Sequence, residues 1–215
     1  MNDEAPTPIS DRELYALLAL WGAFAAWSLA GPLGGYTVWL MEAGPVLIAL
    51  AVMIPTRRRF PLTPLLYRLI FLHALVLTLG AAYTYAEVPL GEWAKGAFGF
   101  ERNHYDRLGH FMQGFVPALV AREILLRKTG LVRGKMLFFL VTCVCLAVAA
   151  FYELIEWWVA LGFAEKGQTG QDFLGTQGDV WDAQWDMFLC LLGALCSQLG
   201  LSWLHDRQLG GCVSP

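Results

Sequence analysis

Six ionisable side chains interrupt three otherwise apolar segments of this chain. They are Asp106 and His110 in one segment, Glu153 and Glu156 in the next, and Asp182 and Asp186 in the last. A charged group in the middle of a membrane costs about 3 kcal/mol or more, so such groups need partners and usually have a function. Carboxylates and an imidazole at one depth are ligands for Zn, Mn or Mg. Acids that share protons can instead act as general acid and base.

The composition predicts that lipid surrounds these segments. Of the 215 residues, 57% are hydrophobic and 15% are charged, whereas soluble domains carry about 25% charged residues. The net charge is −3, and no basic stripe is present, which argues against a nucleic-acid partner. The five cysteines lack the spacing of metal ligands, and we interpret them as small hydrophobic residues.

Six segments approach the length of about 20 apolar residues that a membrane-spanning helix needs. They are residues 14–30, 37–54, 65–86, 106–128, 137–161 and 179–205. Because the connections between them are short, we predict an all-α polytopic membrane protein, a compact bundle that forms a single transmembrane domain over residues 1–215.

Lysine and arginine are concentrated in the connections that follow the second and fourth predicted spans. Such a bias marks the cytoplasmic side, so both termini are expected in the cytoplasm and the connections at 87–105 and 162–178 outside. The segment before the first span is acidic, which argues against a cleaved signal peptide.

The rise of about 1.5 Å per helical residue places Asp106 at the outer membrane face and the other five ionisable side chains roughly 5–12 Å below it. Residues three or four apart share a helix face, and glycines near these side chains would allow the helices to approach closely. The sequence therefore predicts one shared polar pocket. The expected metal ligands are His110, Glu153, Glu156, Asp182 and Asp186.

Within this pocket we expect Glu153 to be the general base, with Asp186 and His110 as further catalytic residues. Asp106, Gln113 and Asp179 share helix faces with these side chains and are expected to support them. A simpler alternative stays open for Asp106 and Asp179, since aspartate is a favoured N-cap of helices. His110 alone could be a hydrogen-bonded packing residue.

Three motifs carry a resemblance to a known family. They are Asp106-Arg-Leu-Gly-His110-Phe-Met-Gln-Gly114, Phe151-Tyr-Glu153-Leu-Ile-Glu156-Trp-Trp158, and Gly175-Thr-Gln-Gly-Asp179-Val-Trp-Asp182-Ala-Gln-Trp-Asp186-Met. In order and spacing they resemble the YjdF type of bacterial inner-membrane proteins, over roughly residues 10–205. The resemblance implies a multi-pass location in the bacterial inner membrane and supplies no biochemical activity.

A looser resemblance is to the VanZ-like membrane proteins, whose pattern is Asp-Lys-x-x-His, Glu-x-x-Gln and Asp-x-x-x-Asn in successive spans. Here Arg107 replaces the lysine, Glu156 the glutamine and Asp186 the asparagine. That group is associated with resistance to glycopeptide antibiotics, which implies a role in the cell envelope by analogy alone.

Three functional hypotheses follow. The first is a metal-assisted or acid/base enzyme that acts on a membrane lipid or a lipid-linked substrate. The second is a proton- or ion-coupled transporter, since intramembrane carboxylates and histidines form proton relays. No internal repeat is present, so a homo-oligomer would have to supply the symmetry common in transporters. The third is a structural or sensory protein whose polar groups only fix helix packing.

Overall fold

The computed structural model describes residues 9–165 and 176–210, with the backbone alone at 163–165. The described residues form eight α-helices and no strand, which confirms the all-α prediction. The helices are α1 (Asp11–Ser28), α2 (Gly35–Glu42), α3 (Gly44–Thr56), α4 (Pro64–Tyr83), α5 (Pro89–Phe98), α6 (Tyr105–Lys128), α7 (Lys135–Glu165) and α8 (Asp182–Leu209). The predicted outer connection at 162–178 lies mostly outside the described residues.

Helices α4, α7 and α8 are long and apolar enough to cross a membrane, and α2 with α3 forms a fourth candidate if the bent pair is one span. The helices α1 and α6 carry more charge. However, α6 packs against α8, α7 and α4, so much of its surface contacts protein and need not be apolar. The count of six spans and the cytoplasmic termini stay predictions.

The second predicted span is broken into two helices. Helices α2 and α3 meet at a bend of 51°, and Pro45 follows directly after the first residue of α3. Proline lacks the N–H group that would continue α2 and its ring clashes with the carbonyl four residues earlier, so an uninterrupted helix is disfavoured here. The predicted connection at 87–105 also contains the short helix α5, which starts at Pro89.

Glycine allows α6 and α8 to pack with their backbones in contact. A Cβ atom added to Gly114 would overlap the carbonyl oxygen of Cys190, and one added to Gly193 would overlap that of Phe111. Cys190 also directs its thiol at the carbonyl of Cys145, at 3.6 Å. The four cysteines of the described residues are free. The close contact holds the N-terminal half of α6 beside the start of α8.

A second buried polar network joins α4, α6 and α8 at the end of the bundle opposite to the predicted outer face. Glu123 accepts hydrogen bonds from Arg127 at 2.6 Å and from the hydroxyl of Thr63 at 3.0 Å. It also accepts the backbone N–H of Thr63 at 3.3 Å and lies 3.0 Å from His205 Nε2. His205 is fully buried. Three helices converge on it and exclude lipid and water.

Candidate functional site

His110 lies at the centre of the ionisable side chains that the sequence analysis singled out. Its Nε2 atom is 3.4 Å from Asp106 Oδ1 and 3.8 Å from Asp186 Oδ2. Its Nδ1 atom is 4.0 Å from Glu153 Oε1. Helices α6, α7 and α8 thus bring four of these side chains together. Asp106, His110 and Asp186 are all buried.

Gln113 fixes the orientation of the imidazole. The Oε1 atom of Gln113 lies 2.9 Å from His110 Nδ1. An amide oxygen only accepts hydrogen bonds, so Nδ1 carries a hydrogen and donates it. The lone pair or the second proton is then on Nε2, which faces the two aspartates. Metal-binding histidines commonly have this second hydrogen bond.

Asp106, His110 and Asp186 can each offer one ligand atom, and these atoms lie within 4.8 Å of one another. Bonds of about 2.0–2.1 Å in a tetrahedral site place neighbouring ligand atoms ~3.4 Å apart, so the two distances from Nε2 require little movement. Among the described residues, Asp106 Oδ2 and Glu153 Oε1 have no hydrogen-bond partner. The donor set therefore fits a small divalent cation.

The two other aspartates of the third motif contact arginines. Asp182 Oδ1 accepts hydrogen bonds from Arg102 at 2.8 Å and from Arg107 at 2.9 Å. Asp179 Oδ2 accepts a further bond from Arg107, at 2.9 Å. Arg107 also donates to Asp186 Oδ1, at 2.5 Å. Arg107 therefore ties the start of α8 to the start of α6 and leaves Asp186 Oδ2 facing His110.

Neither Asp106 nor Asp179 is the N-cap of its helix, because the N-cap residues of α6 and α8 are His104 and Trp181. Asp179 Oδ1 accepts the backbone N–H of Trp181, at 2.9 Å, just before α8 begins. Just before α6, the side chain of Asn103 accepts the N–H of Tyr105 at 3.0 Å. Asp106 instead faces His110. His104 is exposed.

A cavity of about 490 Å³ ends at this cluster. Helices α1, α3, α4 and α6 contribute its apolar walls, which include Leu14, Leu50, Met53, Ile70 and Val116. Its polar end is lined by Glu42, Tyr85, Asp106, His110, Gln113, Tyr152 and Glu156. Of the acids on α7, Glu156 lines this cavity, whereas Glu153 lies behind it against His110.

The spacing of the motifs gave no indication of four residues that line the cavity, Glu42, His73, Tyr85 and Tyr152, or of Arg102, which contacts Asp182. Glu42 was the lone acid of its predicted span, and the cost of charge within hydrocarbon could have identified it. The tyrosines gave no such signal, because aromatic residues are common in apolar helices. The role of Arg102 and Arg107 depends on contacts between distant segments.

The fold and the buried cluster define an all-helical integral membrane protein. The sequence pattern of the family described as "Predicted membrane protein (DUF2238)" matches residues 13–207, and the chain belongs to this family. It is 58% identical to the inner membrane protein YjdF of Escherichia coli (strain K12) over 171 residues, which is 80% of each chain.

These findings confirm the resemblance to the YjdF type and identify the chain as an inner-membrane protein. They give no support to the looser VanZ-like resemblance. No solved structure matches the chain. The biochemical activity must therefore be argued from the site itself.

Proposed function

We propose that this protein is a membrane-embedded enzyme that acts on a lipid or lipid-linked envelope substrate at the His110 cluster. One observation carries the proposal: a cavity of about 490 Å³ with apolar walls ends at buried acids and a histidine. Ligand pockets typically have 300–1,000 Å³, apolar walls and a few polar groups. The apolar part suits an acyl or isoprenoid chain, and the polar end suits the reacting headgroup.

The dimensions support a lipid as the occupant. The face of α6 that lines the cavity runs from Asp106 to Val120, which corresponds to ~21 Å of helix. The hydrocarbon core of a bilayer is about 30 Å thick. A lipid chain that enters between the helices would therefore lie along α6 with its headgroup beside His110.

A divalent cation at Asp106, His110 and Asp186 is part of this proposal. The supporting observations are the two short distances from His110 Nε2 and the hydrogen bond that His110 Nδ1 donates to Gln113 Oε1. Such an ion would polarise a phosphoryl or acyl oxygen of the substrate. Asp182 was expected to be a metal ligand. Because its carboxylate contacts two arginines, we propose that it holds Arg107 in place instead of binding the cation.

The acids of α7 would have different roles. Glu156 lines the cavity and would exchange a proton with the substrate. Glu153, expected from the sequence to be the general base, lies 4.0 Å from His110 Nδ1. With Nε2 on the cation and Nδ1–H on Gln113, Glu153 would act on the imidazole by its charge and would not contact the substrate.

The metal part is tested by elemental analysis of protein purified without chelators. We expect near-stoichiometric Zn, Mn or Mg in the wild type, loss of the metal in His110→Ala, and retention in His104→Ala, the exposed control. Asp106→Asn, which preserves side-chain shape, should also lose the metal. If the wild-type protein contains no metal and is still active, the metal part of the proposal is refuted and the enzyme part is not.

The enzyme part is tested by comparing the membrane lipids of cells that lack the protein with those of cells complemented by variants. Wild type and the exposed control Glu87→Gln should remove a lipid species that accumulates with Glu156→Gln and Glu153→Gln. An unchanged lipid profile in all strains would refute the enzyme proposal.

An ion-coupled transporter is the second candidate, because the break between α2 and α3 places Glu42 at the polar end of the cavity. Broken helices that bind ions are common in transporters. Proteoliposome flux that depends on pH and disappears in Glu42→Gln would favour transport. Wild-type behaviour of every variant in both assays would instead favour a structural or sensory role.

A further inference from the structure

Glu42 is a buried carboxyl group at an unusual place in the fold. It is the last residue of α2, directly before the bend to α3. Its exposed fraction is 4%, and it lines the cavity beside Asp106, His110 and Glu156. Among the described residues, its Oε2 atom has no hydrogen-bond partner. A buried carboxyl without a partner is costly, so a bound ligand that satisfies it would stabilise the site.

The charges around the cavity indicate which ligand fits. Three carboxyl groups line its polar end, and no lysine or arginine is among the described residues that line it. Arg107 is near, but it donates its hydrogen bonds to Asp186 and Asp179. The cation proposed at Asp106, His110 and Asp186 would meet a phosphate, whereas an ammonium group would find acceptors in Glu42 and Glu156, which are not ligands of that cation.

Aromatic rings lie alongside these acceptors. Tyr85 and Tyr152 line the cavity, and the ring of Tyr152 lies edge to face with His110 at 6.4 Å between centroids. The ring of Tyr85 is held against Gly80 and Gly109, where an added Cβ would meet it. Carboxylates combined with aromatic faces are the usual means of binding ammonium groups.

We infer that Glu42 binds an ammonium group on the headgroup of the substrate, so that the substrate is an amine-bearing lipid. The inference rests on the proposed function, because the apolar part of the cavity is taken to hold the lipid chain. It assigns to Glu42 a role in specificity that is separate from the centre around His110. Asp106 Oδ1 faces that centre, whereas the carboxyl of Glu42 comes from a different helix.

The test measures lipid binding to the purified full-length protein by native mass spectrometry. The probes are phosphatidylethanolamine, its N-acetylated derivative and phosphatidylglycerol, all with the same acyl chains. We expect phosphatidylethanolamine to bind the wild type ~10-fold or more tightly than the other two, since a charge-assisted contact is lost with them. Glu42→Gln should abolish this preference, and Glu87→Gln should retain it.

The outcomes separate this inference from the proposed function. Equal binding of the three lipids by the wild type would overturn the ammonium inference and would leave a lipid in the cavity. Absence of any lipid binding would refute both. If Mn²⁺ or Mg²⁺ displaces phosphatidylethanolamine from the wild type, and Glu42→Gln no longer responds to the ion, Glu42 holds a metal and the inference is wrong. The N-acetylated probe keeps the test valid even if Glu42→Gln does not fold.

Discussion

The replacement Glu123→Gln should strongly destabilise the fold without touching the candidate site. Glu123 is fully buried and its two oxygens contact Arg127, His205 and Thr63. Arg122 lies 3.1 Å from His205 Nδ1. Arginine only donates hydrogen bonds, so Nδ1 must accept, and Nε2 donates to Glu123. Each donor around Glu123 therefore needs the carboxylate.

The magnitude follows from what glutamine cannot replace. Its amide oxygen can keep one set of contacts, but its NH₂ group would face Arg127 or His205, which are donors as well. The charge of Arg127 would also lose its buried partner, which is 2.6 Å away. Breaking a buried ion pair by removing one member costs about 3–5 kcal/mol. For a chain of this size that corresponds to a fall in Tm of roughly 6–20 °C.

The assay is thermal unfolding in detergent, followed by circular dichroism and by loss of the monodisperse peak. The matched control is Glu13→Gln, which removes a carboxylate from an exposed pair with Arg68 and should leave Tm unchanged. If Glu123→Gln and Glu13→Gln both unfold at the wild-type Tm, the buried network around Glu123 contributes nothing measurable to stability. Burial and the number of donors would then not account for the stability of the fold.

Three further predictions follow from the packing and the topology. Gly114→Ala should destabilise the fold by about 1–3 kcal/mol through overlap with α8, whereas Gly22→Ala, with open space around it, should be neutral or stabilising in the same unfolding assay. Arg107→Gln should cost about 3–5 kcal/mol, because the buried Asp186 loses its arginine and Asp179 and Asp182 keep only Arg102 of their two arginines; unfolding near the wild-type temperature would contradict this. In a background without other cysteines, Glu101→Cys should react with an impermeant maleimide from outside spheroplasts and Lys128→Cys only after lysis; the reverse pattern would overturn the predicted orientation.

The sequence allowed the helices to be predicted well, because long apolar runs ended by proline, glycine or charge have few alternatives in a membrane. The predicted segment 65–86 corresponds to α4 and 137–161 to the central part of α7. The break between α2 and α3 was missed, since Gly44 and Pro45 interrupt an otherwise continuous apolar pattern only briefly.

The candidate site was predicted in part. Spacing on single helices placed Asp106 beside His110 and indicated that Glu153 and Asp186 would face inward, because helix geometry fixes which residues share a face. Spacing could not show that Asp182 would meet Arg102 and Arg107. That contact depends on how α8 docks on the connection before α6, and the periodicity of either segment carries no information about it.

The amino-acid sequence alone was enough to identify a helical membrane protein with a costly set of ionisable groups in its apolar segments. Hydrophobicity and helical periodicity are local properties that can be read from neighbouring residues. The family match covers residues 13–207, which include all of these ionisable groups. Three features became visible only in the folded molecule. The first is which aspartate oxygens face His110 Nε2. The others are the position of Glu42, which joins the site from a broken span, and the cavity that extends from the cluster between apolar walls. Those features arise from the close approach of distant helices, which depends on the volumes and hydrogen bonds of many side chains at once.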